Sequence, residues 1–129
     1  MSVKKASTRP SKVRVLGKTV SISYVPAGDI TLRDSPDDKD VGVGRNDPDK
    51  QAIYVEDGQP LESEQDTVLH EIIHILEAYM AIRLSETAVR KLATGLIAVI
   101  KDNPTFLPYL RARNAAKKHS LSGDNKDTN

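Results

Sequence analysis

Residues 70–74 read His70-Glu71-Ile72-Ile73-His74, an H-E-x-x-H pattern inside the run TVLHEIIHILEAY. In a helix the two histidines, four residues apart, share one face. Both can then offer a ring nitrogen to one Zn²⁺ at about 2.0–2.1 Å. Glu71 lies about 100° round the helix from His70 and about 60° from His74, beside the metal rather than on it. From there it can take a proton from a water and pass it to a leaving amine.

Helical angles sort the neighbouring residues into stripes. Asp66, His70, His74, Glu77 and Ala81 form one; Leu69, Ile73, Leu76 and Met80 a second; Val68, Ile72, Ile75 and Tyr79 a third. Two apolar stripes flanking one polar, ligand-type stripe describe a helix buried on most sides. Imidazoles and carboxylates buried without partners would cost several kcal/mol, about 2–7 for an unpaired polar group, and a metal satisfies them together. The competing reading has two half-buried histidines bonded to backbone or carboxylates, with Glu71 solvated. It suits a lone histidine better than this constellation.

A catalytic zinc usually takes three protein ligands and a water. Cysteine is absent, so the third ligand is a histidine or a carboxylate. His119 falls in a polar terminal stretch and is rejected. Glu86 is the first choice. It opens a second helix and falls by angle with the apolar residues Val89, Leu92, Ala93, Leu96, Ile97 and Ile100. A carboxylate turned toward a core needs a cation, although a first-turn glutamate is also favoured simply by the helix dipole. Glu77 is the runner-up, because it shares the histidine stripe. Side chains lean toward the helix N-terminus, so Glu77 is equally suited to bonding His74 from behind. Asp66 is a weaker candidate for the metal.

The elements that must position these residues are legible in order. Residues 1–11 are rich in Lys, Ser, Thr and Arg and read as a disordered basic tail. Residues 12–16 and 19–25 are β-prone and joined by Gly17-Lys18, a hairpin. Residues 27–40 form a loop with an acidic cluster, Asp34, Asp37, Asp38 and Asp40, whose spacing does not match a calcium-binding EF-hand. Residues 41–45 and 51–57 form a second hairpin across Asn46-Asp47-Pro48-Asp49-Lys50. The first helix is expected over about 64–80, with Ser63 as N-cap. The second is expected up to about Asp102, with Ser85 as N-cap and Asn103-Pro104 as its stop. A short third helix is expected over 106–118, with Leu107, Leu110 and Tyr109 packing inward. Residues 117–129 read as a disordered polar tail. The fold class expected is α+β: two antiparallel hairpins packed on an active-site helix and a second, antiparallel helix, in one domain over residues 12–116.

Composition narrows the function classes. The chain has 129 residues, 38% hydrophobic and 4% aromatic, with net charge +1. That balance gives no reason to expect a nucleic-acid or membrane partner. No apolar run approaches the ~18 residues of a spanning helix, and the N-terminus has no secretory h-region. A cytoplasmic setting is the default expectation.

The segments LHEIIHILEAY and LSETAVRKLATGLIAVIKDNP resemble the small zinc metallopeptidase-like proteins of bacteriophages, compact zincins of the ImmA/IrrE and SprT-like type. The resemblance covers about residues 12–110. It implies a minimal zincin-like fold, zinc on His70 and His74, Glu71 as general base, Glu86 at the place of a downstream glutamate ligand, and a host-cytoplasmic location. The chain has no third histidine of the SprT sort and no recognisable helix-turn-helix segment, so substrate and biological role do not transfer.

The expectation is therefore a zinc-dependent endopeptidase acting on a protein or peptide, with residues 51–57 as a sheet edge for an extended substrate. Candidate oxyanion helpers are Tyr79, Arg83, Arg90 and Tyr109. The alternative is a zinc-binding but non-catalytic structural or interaction protein on the same fold; a metal-free α+β interaction domain is the third reading. A peptide deformylase-like hydrolase is excluded by the missing cysteine ligand.

Overall fold

A computed structural model describes residues 9–33 and 42–114. The N-terminal basic residues 1–8, the acidic cluster of the loop, Val41, His119 and the polar C-terminal stretch lie outside the described residues. The chain divides into two compact units, residues 1–96 and 97–129.

The first unit holds a four-stranded sheet with order β1-β2-β4-β3: β1 Lys12–Val15, β2 Lys18–Val25, β3 Gly44–Asp47 and β4 Ala52–Glu56. Both hairpins form. Leu16 and Gly17 take positive φ, 50° and 85°, the combination a two-residue turn between twisted strands requires. In the second hairpin Asp47 Oδ1 accepts from the Lys50 N–H at 3.1 Å, and Gln51 takes φ 53° to re-enter the ladder.

The all-antiparallel expectation is corrected at the centre. β2 and β4 pair parallel, with Ile22 opposite Ile53 and Tyr24 opposite Val55. A parallel pair needs a crossover of a dozen or more residues, and residues 26–51, a long connection followed by β3, supply it. Among the described residues it includes a 3-10 turn, Ile30–Leu32, capped by the Asp29 carboxylate. A second correction follows. β4 is interior, and β3 is the edge next to the helix, so residues 51–57 offer no free edge.

Registers place Val13, Val15, Val20, Ile22, Tyr24, Ile53 and Val55 on one sheet face. There they pack on Ile75, with Val68, Ile72, Leu76 and Tyr79 around it, from helix α1, Leu61–Met80. Burying each such aliphatic side chain contributes about 1.5–3 kcal/mol. Gly44 and Asn46 continue the same face onto β3, opposite Val55 and Ile53.

Helix α1 begins three residues earlier than expected. Pro60 is its N-cap and no side chain caps it. Proline pre-sets its own φ near the helical value, and the Glu64 N–H reaches the Pro60 carbonyl at 2.9 Å. Ser63 is inside the helix, where its carbonyl accepts from the Thr67 hydroxyl at 2.9 Å. Glu62 and Glu64 complement the dipole.

The chain leaves α1 through Ala81 in the left-handed region. Helix α2, Glu86–Asp102, starts behind Ser85 as expected: Ser85 Oγ accepts from the Ala88 N–H at 3.0 Å. Glu86 meets His70 and His74 while Thr94 bonds Asp66, so α2 runs antiparallel to α1. Val89 and Ala93 seal against Ile73. Arg9, Pro10 and Ser11, assigned to a tail from the sequence, are tied to the fold. Arg9 bonds Asp57 and Glu64 at 2.8 and 3.0 Å and lies over the Tyr24 ring, and Pro10 accepts from the Tyr24 hydroxyl.

In the second unit α3 spans Phe106–Arg111, with Ala112 already extended. Leu107, Tyr109 and Leu110 are exposed rather than packed inward. A six-residue helix with no buried side chain has nothing to repay further nucleation and growth, which corrects the expected length. No helix among the described residues is long and apolar enough to cross a membrane.

Candidate metal centre

α1 carries His70 and His74 one turn apart, and the first turn of α2 delivers Glu86 between them. His70 Nε2 lies 2.8 Å from Glu86 Oε2, His74 Nε2 lies 3.0 Å from Glu86 Oε1, and the two Nε2 atoms are 3.2 Å apart. One donor atom from each of the three residues gives a compact group, all within 4.8 Å of one another, able to hold a metal ion. Tetrahedral ligands with bonds of about 2.05 Å stand about 3.3 Å apart, close to these separations.

Protonation supports the fit. His74 Nδ1 meets Glu77 Oε1 at 2.6 Å, and the Leu84 N–H donates to Glu77 Oε2 at 2.6 Å. The Leu84 N–H, then His74, hold the Glu77 carboxyl below its usual range. An ionised carboxylate only accepts, so the ring proton sits on Nδ1. In the neutral ring this leaves His74 Nε2, 3.0 Å from Glu86 Oε1, as the nitrogen able to bind a metal.

The sequence-derived candidates thus separate. Glu77 stands behind His74 rather than inside the cluster, and Asp66 accepts from the Thr94 hydroxyl at 2.8 Å, joining α1 to α2. Glu86 reaches the histidines from an exposed position, its side chain 61% accessible, rather than from the core side that its helical angle suggested.

Glu71 is 6% exposed and points to β3. Its Oε1 accepts from Asn46 Nδ2 at 2.8 Å. Burial pushes its carboxyl above the ordinary range; the Asn46 bond and both imidazoles pull the other way, and Glu86 adds to the rise. Gly44 meets the same carboxylate by close approach: a Cβ there would lie 2.8 Å from Glu71 Oε2 and 2.5 Å from Thr67 Cγ2.

Two open cavities meet at the cluster. One of about 300 Å³ is lined by Gly44, Arg45, Asn46, His70, Glu71, His74 and Glu86. The other, about 370 Å³, adds Gly42, Val43, Asp66, Thr67 and Arg90. Together they make a groove bounded by β3, α1 and the start of α2. Of the expected oxyanion helpers, Arg90 lines this groove. Tyr79 packs with the core and directs its hydroxyl to the Pro48 carbonyl at 3.4 Å, and Tyr109 belongs to the second unit.

Sequence reasoning missed Asn46 and Gly44, which it assigned to a turn and a strand. Their spacing of two, which puts them on one strand face, was the available signal. Comparison with models of protein families, with curated proteins and with solved structures gives no match for this chain.

Proposed function

We propose that this chain is a zinc-dependent peptide hydrolase in which His70, His74 and Glu86 hold the metal and Glu71 is the general base. The observation that carries the reading is the convergence of two imidazole Nε2 atoms, 3.2 Å apart, on the Glu86 carboxylate, whose two oxygens lie 2.8 and 3.0 Å from them, with a buried carboxylate at their flank, opening on a groove. The imidazole and carboxylate donors suit Zn²⁺. A zinc ion held there supplies Lewis-acid chemistry, acidifying a water and polarising a carbonyl.

The remaining work falls to the chain's own residues. Glu71, shielded from solvent and with its carboxyl raised by burial, is placed to accept a proton and return it to the departing amine. Glu77 orients His74. The outer edge of β3, which pairs with no other strand among the described residues, offers main-chain partners to an extended peptide lying in the groove. The groove's openness favours catalysis over a purely structural metal, whose sites are closed.

Glu71→Gln is the test. The variant should keep zinc and lose peptide hydrolysis by at least about 100-fold, the lower range for general-base contributions. Zinc retained with activity near wild type would remove the base assignment. Zinc bound by wild type with no cleavage of a mixed peptide library would leave the non-catalytic reading.

A further inference from the structure

We propose that Asn46 is a positioning residue for Glu71, its side-chain amide fixing the carboxylate of the general base from the edge strand. The inference rests on the hydrolase reading of this site. The sheet face shared by β2 and β4 is apolar, and in register Asn46 stands opposite Ile53 and Gly44 opposite Val55. A polar side chain on that face costs free energy unless it is paired. The partner of Asn46 is Glu71, 2.8 Å away and 25 residues distant in sequence.

Gly44 completes the grip. With no Cβ, its backbone lies against the second carboxylate oxygen, where a methyl group would stand 2.8 Å from Oε2. A helix glutamate ordinarily samples several rotamers. Here one oxygen is hydrogen-bonded and the other is confined by backbone, both from one strand. Such fixing matters because a misplacement of about 1 Å in a reacting group can cost 10²-fold in rate. The Asn46 amide donates to Glu71 rather than to His70, His74 or Glu86, so its removal should leave the metal cluster whole. It acts through Glu71.

The test uses the full-length, zinc-loaded chain and a fluorogenic peptide selected from those the wild type cleaves in a mixed library. Asn46→Asp keeps the shape and removes the donor; Asn46→Ala removes both. Each should keep wild-type zinc content and a KM within about twofold, while kcat falls about 10–100-fold, the range for outer partners of a metal site. Unchanged kcat, or a loss confined to KM, overturns the inference while leaving Glu71 as base. If the wild type cleaves nothing, the hydrolase reading fails and this inference falls with it. A second measurement does not depend on those variants folding: the Asn46 side-chain amide resonances should move in Glu71→Gln. If they stay in place, the contact, and with it the inference, is overturned.

Discussion

At His74 the chemistry is decided by what stands behind the ring. Glu77 accepts a hydrogen bond from Nδ1–H and is itself held by the Leu84 N–H, so the turn between α1 and α2 sets which ring nitrogen faces the site. Glu77→Ala should leave the three donors in place and weaken zinc affinity about 10–100-fold, read by competition with a chelating dye; affinity within twofold of wild type would show that Glu77 is dispensable to the ring. The histidine pair and Glu71 were legible because one helical turn is a local, fixed geometry. Glu86 was legible because a short turn returns the chain beside the histidines. Asn46 was not, because its bond to Glu71 depends on where β3 lies in the sheet, which no local pattern of residues states.

Among the elements, the two hairpins follow from turn chemistry that a few residues carry. The parallel pairing of β2 with β4 does not, since it is made by partners about 30 residues apart (Ile22 and Ile53) through packing on α1. That pairing is what moves the free edge from β4 to β3 and brings Gly44 and Asn46 to the site. The segment before β1 adds a clasp: Arg9 joins Asp57, just beyond β4, to Glu64 on α1. The Arg9 bond, then the Gly58 N–H, hold the Asp57 carboxyl below its ordinary 3.8. A carboxyl depressed in the folded state stabilises fully above its unfolded value and loses that contribution as pH falls through the folded one. Asp57→Asn should therefore melt below wild type at pH 6, and the gap should close as the pH drops well under 3.8. A gap that persists undiminished in acid would assign the clasp to something other than this charge.

For the whole molecule, the first unit is organised so that a sheet, one long helix and the start of another meet at a polar cluster flanked by apolar contacts. Ile73, Val89 and Ala93 close one side, and Ile53, Val55 and Ile75 the other. The exposure of Leu107, Tyr109 and Leu110 on α3 was not legible, because an apolar run states a preference for burial without supplying the partner. A metal that binds the folded state alone adds stability by mass action, about 2.7 kcal/mol at a hundredfold excess over Kd, so zinc should raise the melting temperature and a chelator should reverse the rise. The most direct measurement is the metal content of the purified chain after dialysis against zinc, beside His74→Ala and Glu86→Ala. The account predicts about one zinc per chain for a three-ligand site in the wild type, and loss of most of it in both variants. A wild type without zinc, or variants that hold it as well as the wild type, would contradict it.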